Sequence, residues 1–282
     1  MTDEFAGVFR PGEQFKVDTP GNRVALVFAN VNDGVPMPVA IRCGGAHGIL
    51  RFAGSTRVEL SDQTALFGHV REAFQGVQLS NTILMSGGTR VLGDDDEVAM
   101  TILELPWLLR KWHPTCRTLG SAPRTKETSS LVGDHSTFIP SDQLDGNTIV
   151  HPGLDVFWFV QVNASQTTAD WSLDVPLYVQ LMSMLQTDGA ATGLWVWGGG
   201  AVTAQEITEA LAHGHPCAVV RGSGRIADAV ALWKDGSHHV IDDTNRALIE
   251  RMIAAGTNLS DITVINTPPQ TQQWLRRAGL VV

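Results

Sequence analysis

The segment from Leu194 to Trp233 constrains the fold most, because it contains a strand, a glycine turn and a helix twice in succession. Its two apolar runs, Leu194–Trp197 and Cys217–Val220, are too short for helices and run into glycines. After each turn, apolar residues recur at helical spacing, as they do at Ile207, Ala210 and Leu211. Consecutive strand–turn–helix units predict neighbouring parallel strands that are covered by helices.

The same alternation of short apolar runs and helical patterns continues through most of the chain. It predicts an α/β fold, a Rossmann-like three-layer sandwich with a mostly parallel sheet. We expect residues 1–22 to form an N-terminal arm and residues 23–282 to form a single domain. Upstream of Leu194, the predicted strands are Arg23–Ala29, Pro38–Cys43, Thr82–Ser86, Thr115–Gly120 and Val156–Val162. The predicted helices are Thr64–Phe74, Val98–Trp112 (interrupted or kinked at Pro106) and Ser172–Leu185.

Composition excludes several classes of partner. The net charge of −9 and the pI near 5.4 give no electrostatic footprint for nucleic acid or an anionic membrane. The apolar runs are shorter than the roughly 18 residues of a membrane span, and the acidic, turn-rich N-terminus does not read as a signal peptide. We therefore expect a cytoplasmic protein with no membrane insertion. The sequence leaves open whether a second copy of the chain or an effector protein is a partner.

Four predicted strand ends carry glycines, namely Gly44-Gly45, Gly87-Gly88, Gly198–Gly200, and Gly222 with Gly224. Turns without side chains, followed by helix N-termini with free N–H groups, suit a phosphate. The alternative is that these glycines only permit tight turns. Neither a P-loop nor a clean GxGxxG fingerprint is present, so hydride transfer with NAD is not supported. We expect a phosphorylated small-molecule ligand and no required metal or cofactor.

Two further features admit a binding role and a structural one. Arg225 follows Gly224 and would lie beside a bound phosphate, or it would pair with Asp228 on the same helix face. Arg90 and Arg124 are weaker candidates of the same kind. Thr203 and Glu206 match a capping box, in which Glu206 would reach back to the N-cap amide. Otherwise Glu206 is a carboxylate beside a bound sugar, placed to bind a hydroxyl or to stabilise an oxocarbenium ion.

The segment HPCAVVRGSGRIADAVALW (residues 215–233) resembles a motif in the cytosolic N-terminal region of melastatin-type transient receptor potential (TRPM) channels. That motif runs Gly-Ser-Gly-Arg-x-x-Asp into an apolar helix. Further segments resemble the same region in the same order, and together they cover about residues 36–233. They are VAIRCGGAHGI, ILMSGGTRVLG, CRTLGSAPR, LDVFWFVQVNAS and WVWGGGAVTAQEI.

The chain is thereby similar to a stand-alone, prokaryotic-type member of the LSDAT group within the SLOG superfamily. That superfamily also includes Lonely-Guy-type phosphoribohydrolases. The resemblance implies a Rossmann-like fold and ligands such as ADP-ribose, an NAD-related molecule or a cyclic nucleotide. By position, it implies binding residues at Gly87, Gly88, Thr89, Arg124, Gly199, Gly200, Gly222, Ser223, Gly224 and Arg225. The turn and cap patterns add Gly44, Gly45, Arg90 and Thr203 as candidates.

Two departures from the family pattern bear on function. The channels tend to carry Leu-Arg where this chain has Leu177-Tyr178, so a phosphate contact is missing or Tyr178 stacks instead. The Lonely-Guy pattern Gly-Gly-x-Gly-Thr-x-x-Glu keeps its Thr and Glu here, but Val202 replaces the third Gly. We expect a binding or sensor domain. The alternatives are a nucleotide N-glycosidic hydrolase with Glu206 as its catalytic carboxylate, and a scaffold whose glycine turns are only structural.

Overall fold

The computed structural model describes most of the chain beyond its N-terminal segment. The described residues are 23–30, 34–35, 39–40, 43–55, 60–87, 102–124, 138–140, 154–161 and 171–281. Residues 1–22, predicted as an N-terminal arm, lie outside them. The division into an arm and one domain therefore stays a prediction.

Nine strands of the described residues form one sheet in the order β5-β1-β6-β4-β3-β2-β7-β8-β9. Every neighbouring pair is parallel except β1 and β5, which are antiparallel. The predicted mostly parallel sheet is confirmed. The strands are β1 Arg23–Asn30, β2 Gly48–Gly54, β3 Thr82–Ser86, β4 Arg117–Arg124, β5 Phe138–Pro140, β6 Val156–Gln161, β7 Ala191–Trp197, β8 Cys217–Val220 and β9 Thr263–Ile265.

Helices cover both faces of the sheet, so the predicted three layers are also confirmed. Buried residues of α1, α2 and α7 pack on one face, and those of α3, α4, α5 and α6 pack on the other. The helices are α1 Leu60–Gln75, α2 Leu105–Trp112, α3 Val175–Thr187, α4 Ala201–Ala212, α5 Arg225–Lys234, α6 Asp243–Ala254 and α7 Pro268–Arg277.

The central strands are buried on both faces, which explains their continuous apolar runs. All residues of β3 and β8 are buried, as are Trp195 and Trp197, which stack on the face of α1 with ring centroids 5.9 Å apart. Both tryptophans belong to the core. Among the described residues, no helix is long and apolar enough to cross a membrane.

One predicted element of the N-terminal half is wrong. Residues 39, 40 and 43 are helical, so Pro38–Cys43 is not a strand, and the strand of this region is β2. Of the predicted helix Val98–Trp112, residues 98–101 lie outside the described residues. The rest is interrupted beside Pro106, where the short 3-10 helix Ile102–Glu104 ends and α2 begins at Leu105 with the proline in its first turn. A proline is favourable there, since the first N–H groups of a helix have no intrahelical acceptor.

Candidate functional site

Two glycine turns lie side by side at the carboxyl edge of the sheet, because β7 and β8 are parallel neighbours. We call Gly198–Gly200 the first turn and Gly222–Gly224 the second turn. The N–H of Gly198 donates to Ser223 Oγ at 2.8 Å, and the N–H of Ile226 donates to the Gly199 carbonyl at 3.2 Å. These hydrogen bonds join the turns into one rim, which brings together the predicted residues Gly199, Gly200, Thr203, Gly222, Ser223, Gly224 and Arg225.

In the second turn, a carboxylate of the protein takes the position expected for an anion. Asp228 accepts hydrogen bonds from the N–H of Gly222 at 2.6 Å and from the N–H of Gly224 at 3.2 Å. The alternative role of Arg225, an ion pair with Asp228, is not among the ion pairs of the described residues. Arg225 is exposed at the start of α5 with φ of 51°, a left-handed conformation that is uncommon for residues other than glycine.

In the first turn, the start of the following helix stays open. The N–H of Gly199 donates to Ser55 Oγ at 2.9 Å, but Gly200 is the N-cap of α4 and no side chain caps the helix. Within the described part of the chain, the N–H groups of Ala201 and Val202 take no part in the hydrogen bonds of the rim. The first N–H groups of a helix carry the positive end of its dipole, so this position suits an anion.

The glycines of the two turns are required for different reasons. Gly199 has φ of 90°, and a Cβ atom there would lie 2.6 Å from Cβ of Thr203, which is buried. Gly222 and Gly224 also have positive φ, but a Cβ atom at either would have no neighbour within 4 Å. The first turn needs a glycine because Thr203 packs against it, whereas the second turn has open space above it.

Glu206 does not belong to a capping box, and that prediction is wrong. Because α4 already begins at Ala201, Thr203 lies inside the helix and Glu206 lies in its second turn, facing the sheet. The Glu206 carboxylate is buried, and its Oε1 accepts three hydrogen bonds. The donors are Arg51 Nη2 at 2.8 Å, Arg51 Nε at 3.2 Å and the Tyr178 hydroxyl at 2.6 Å.

Tyr178 is buried on α3 and contacts Arg51 as well as Glu206. The centre of the Arg51 guanidinium lies 4.3 Å from the centroid of the Tyr178 ring. Burial lowers the pKa of Arg51, but the adjacent Tyr178, Glu206 and Asp174 raise it more, so the guanidinium stays charged. Burial raises the pKa of Tyr178 well above its usual value, so the hydroxyl stays protonated and donates a hydrogen bond to Glu206.

A second buried carboxylate, Asp174, lies just before α3. Its Oδ2 accepts a hydrogen bond of 2.8 Å from Ser121 Oγ of β4. Burial raises the pKa of Asp174 to about 6, although the nearby Arg51 charge and the Ser121 hydroxyl act in the opposite direction. We call Arg51, Ser121, Asp174, Tyr178 and Glu206 the buried cluster, and all five are less than 9% exposed.

Sequence reasoning identified only part of this arrangement. It missed Arg51, Ser55, Ser121 and Asp174, which come from three other segments of the chain. One signal was available, because Arg51 is the only charged residue of the otherwise apolar strand β2. A charge in a buried strand needs a partner of opposite charge.

The remaining candidates are dispersed. Gly87 follows β3 at the carboxyl edge, and Arg124 ends β4 at the same edge, while Gly88, Thr89 and Arg90 lie outside the described residues.

Gly44 and Gly45 precede β2 rather than follow a strand, so they lie at the opposite edge of the sheet. There the Gly44 carbonyl accepts a hydrogen bond of 3.2 Å from Arg117, the first residue of β4. The Gly45 carbonyl accepts one of 2.6 Å from the side chain of Asn81, just before β3. Gly44 and Gly45 were predicted to join the same site because Pro38–Cys43 was predicted as a strand that ends at them. That strand is absent from the described residues, so the prediction for these two glycines is wrong.

The histidines and acids of the described residues form no group of three or more that could hold a metal ion. His215, one member of the pair His213-x-His215, is buried between two hydroxyls. Its Nε2 lies 3.1 Å from Ser183 Oγ, and its Nδ1 lies 3.0 Å from Thr192 Oγ1. A structural role explains this histidine.

Comparison with known proteins places part of the chain in a family. Residues 146–270 match the model described as SLOG in TRPM, prokaryote. The chain is also similar to a number of solved structures, two of which follow. The X-ray structure of TM1055 is 16% identical with a TM-score of 0.37, over 82% of this chain and 99% of the other. The molybdenum cofactor carrier protein MCP from Chlamydomonas reinhardtii is 12% identical with a TM-score of 0.41, over 82% of this chain and 97% of the other.

No curated protein matches the sequence. The family match begins before β6 and ends within α7, so it includes both turns, Tyr178 and Glu206. Residues 146–270 of the chain thus belong to the SLOG superfamily, in the prokaryotic form of the domain found in TRPM channels.

Proposed function

We propose that the chain binds a nucleotide-derived ligand, such as ADP-ribose, an NAD-related molecule or a cyclic nucleotide, and acts as a sensor domain. The observation that carries this proposal is the uncapped start of α4 beside the exposed Arg225. Asp228 already fills the second turn, so α4 is the helix of the rim that offers free N–H groups to a phosphate.

The position of Arg225 supports a phosphate at this place. Ile226, the residue after Arg225, donates its N–H to the Gly199 carbonyl, so Arg225 is held next to the first turn. Arg225 is exposed, so its guanidinium can reach an anion without breaking an internal contact. Arginine binds phosphate through two parallel hydrogen bonds, which complements the N–H groups of α4. Membership of residues 146–270 in the SLOG superfamily supports a nucleotide-related ligand.

A thermal-shift panel of ADP-ribose, NAD, AMP and cyclic nucleotides tests the proposal. A ligand at about 100 times its Kd adds about 2.7 kcal/mol to the free energy of unfolding. In a chain of this size, that stabilisation raises Tm by several degrees. If no member of the panel raises Tm, the proposed function is wrong.

Glutamates placed at the two ends of α4 locate the site. We expect Ala201→Glu to abolish the ligand shift, because its carboxylate occupies the helix N-terminus and repels a phosphate. Stability should be unchanged or slightly higher, since an acid near the start of a helix is favourable. Ala212→Glu is the matched control, because Ala212 is also exposed and ends the same helix. Equal ligand shifts in both variants would move the phosphate away from α4.

A hydrolase is the second candidate, favoured by one observation. Glu206 lies one helical turn below the open start of α4, and Arg51 and Tyr178 hold its carboxylate in a fixed orientation. A catalytic carboxylate needs such fixed positioning. Against this role, Oε1 already accepts three hydrogen bonds, and Val202 stands where the hydrolases carry a glycine.

Release of free base from nucleoside monophosphates distinguishes the two candidates. We expect none from the wild type, from Glu206→Gln or from the control Glu209→Gln on the same helix. Base release by the wild type and by Glu209→Gln, reduced at least about a hundredfold in Glu206→Gln, would establish the hydrolase instead. Chromatography of each reaction gives the readout.

A further inference from the structure

A cavity lies at the amino edge of the sheet, opposite the rim of glycine turns. It surrounds the start of β4, where Arg117 is the first residue of the strand, and it reaches Asp155 just before β6. Its volume is about 380 Å³, near the lower end of the range for small-molecule pockets. The exposed residues of its lining are Pro114 and Thr115, in the loop between α2 and β4, and they form its mouth.

The polar part of the lining carries more positive than negative charge. Arg110 on α2 donates from Nη1 to Asp155 Oδ1 at 2.7 Å, so these two charges balance each other. Arg117 donates from Nη1 to the Gly44 carbonyl at 3.2 Å and from Nη2 to Asn81 Oδ1 at 3.1 Å. These bonds hold the second guanidinium at the cavity wall. With two arginines and one aspartate, the lining has a net charge of +1.

Two cysteine thiols in the wall are neutral and sense this positive charge. Burial raises the pKa of both Cys43 and Cys116 to about 11, so the thiols remain protonated near neutral pH. Among the opposing effects, the Arg117 charge lowers the pKa of both thiols, and the Arg110 charge lowers that of Cys116. The electrostatic potential inside the cavity is therefore positive, beside a wall that adds no negative charge.

Charge and lining together define the ligand that fits. A guanidinium has five N–H donors and binds a carboxylate through charged hydrogen bonds. A monoanion neutralises the net charge of +1, whereas a phosphate dianion would exceed it and would be repelled more strongly by Asp155. The rest of the wall is apolar, because Ile83 and Leu119 are buried there together with the neutral thiols. The ligand therefore needs one negative charge and an apolar body.

We propose that this cavity is a binding site for a small monocarboxylate, whose charged group contacts Arg117 and whose apolar body lies against Ile83 and Leu119. Arg110 and Asp155 act as positioning residues, because their ion pair fixes the wall on the other side of β4. The cavity and the glycine turns lie at opposite edges of the sheet. The proposal is thus independent of the proposed function, and either can fail without the other.

Phenylacetate and phenylacetamide test the need for a negative charge, because they have nearly the same shape. We expect calorimetry to show that the acid binds at least about tenfold more tightly, since the amide cannot form charged hydrogen bonds with Arg117. Hexanoate carries the same charged group on a flexible apolar chain and should bind as well. Equal affinities of acid and amide would overturn the proposal. So would the absence of binding by both acids at millimolar concentration.

The three cysteines of the chain locate the bound acid. Cys43 and Cys116 line the cavity, whereas Cys217 lies on β8, four strands away from β4 in the sheet. Carbon-13 labelling of cysteine gives one Cβ resonance for each, and single cysteine-to-serine variants assign them. Phenylacetate should shift the resonance of Cys43, of Cys116 or of both, and leave that of Cys217 unchanged. A shift at Cys217 alone, or at none of the three, would overturn the proposal.

Variants assign the affinity to particular residues. Arg117→Gln should weaken phenylacetate binding about tenfold or more, because the charged donor is lost. The control Arg251→Gln, at an exposed position on α6, should bind as the wild type does. A folded Arg117→Gln with unchanged affinity would overturn the role of Arg117.

Thr115→Trp provides a second variant if Arg117→Gln does not fold, since Arg117 also holds Gly44 and Asn81. Thr115 is exposed at the mouth of the cavity, so a tryptophan ring there should block entry and abolish binding. Thr244→Trp, at an exposed position on α6, is the matched control and should bind normally. Wild-type affinity in a folded Thr115→Trp variant would place the acid outside the cavity and overturn the proposal.

Discussion

The two glycine turns follow the same sequence pattern, lie on adjacent strands and are joined by hydrogen bonds, yet they offer different chemistry. In the second turn, Asp228 binds two backbone N–H groups, and the first turn binds the next N–H groups of α5. In the first turn, no side chain caps α4. A single carboxylate four residues beyond a turn can therefore satisfy the N–H donors that would otherwise attract an anion to that turn.

The buried side chains of the helices that follow the two turns also differ in polarity. The buried residues of α5 are all apolar, namely Ile226, Ala227, Ala229, Val230 and Ala231. Those of α4 include Thr203 and Glu206, and Glu206 joins the buried cluster. The second turn thus leads into a helix that packs only apolar side chains against the core. The first turn covers charged groups that the fold holds in place.

The largest expected effect tests the packing of the two turns. Gly199→Ala should lower the free energy of unfolding by roughly 2–5 kcal/mol, because its backbone strain and its contact with Thr203 add together. Gly222→Ala, with similar φ and open space, should lose only about 1–2 kcal/mol. Urea denaturation measures both. Equal losses would show that Thr203 does not restrict the first turn.

The charged groups beneath the first turn should give it a pH dependence that the second turn lacks. The pKa of Asp174 is about 6 in the fold, above its usual value, so the fold favours the protonated form. Its contribution to stability is complete below about pH 4, where the unfolded chain is also protonated, and is lost as pH rises through about 6. The loss is about 3 kcal/mol.

Asp174→Asn removes this titration. The difference in unfolding free energy between variant and wild type should therefore shift by about 2.4 kcal/mol in favour of the variant between pH 4 and pH 7. Urea denaturation at several pH values measures that difference, and other titrating groups cancel in it. A difference that is constant with pH would mean that Asp174 ionises normally in the fold.

Removing the internal carboxylate should make the second turn resemble the first. Asp228→Ala should lower the free energy of unfolding by about 1–3 kcal/mol, because two backbone N–H groups lose a charged acceptor. Inorganic phosphate should restore part of that loss in Asp228→Ala and add less to the wild type. Asp243→Ala, in the first turn of α6, is the control. If phosphate restores nothing, the second turn does not bind anions even when its donors are free.

The smallest expected effect on stability is at Arg225. Its side chain is exposed, so Arg225→Ala should change the free energy of unfolding by no more than about 0.5 kcal/mol. Ligand binding should nevertheless weaken by roughly 1.5–3 kcal/mol, because a charged hydrogen bond to phosphate is lost. Arg221→Ala, which breaks an exposed ion pair with Asp235, should leave binding unchanged. Unaltered affinity in a folded Arg225→Ala variant would remove the phosphate role.

The sequence predicted several strands of the fold well, because their patterns are local. Cys217–Val220 and Thr82–Ser86 match the observed strands, since each is a short apolar run bounded by polar or glycine residues. The sequence analysis misplaced the strand near Gly44, because apolar stretches lie on both sides of Gly44 and Gly45. Only pairing with neighbouring strands decides which stretch joins the sheet. In the structure, β2 pairs with both β3 and β7, which no local pattern reveals.

Likewise, the sequence predicted the rim of the site, which has a local pattern, and missed the buried cluster, which does not. Glycines before a helix are visible in the sequence, so Gly199 to Arg225 could be named. The Thr203-x-x-Glu206 pattern was misread, because the helix begins earlier than the capping rule requires and turns Glu206 toward the sheet. Its partner Arg51 lies 155 residues away in the chain. Pairings of that length are decided by packing, which sequence spacing does not record.

Tyr178 is the only tyrosine of the chain, and its hydroxyl donates to Glu206 inside the buried cluster. Biosynthetic incorporation of fluorine-labelled tyrosine would therefore give the whole protein a single fluorine resonance. That resonance originates at the Arg51–Glu206 pair and requires no assignment. Its chemical shift would report any event that displaces the guanidinium or protonates the carboxylate, in a protein whose other aromatic side chains remain silent at that frequency.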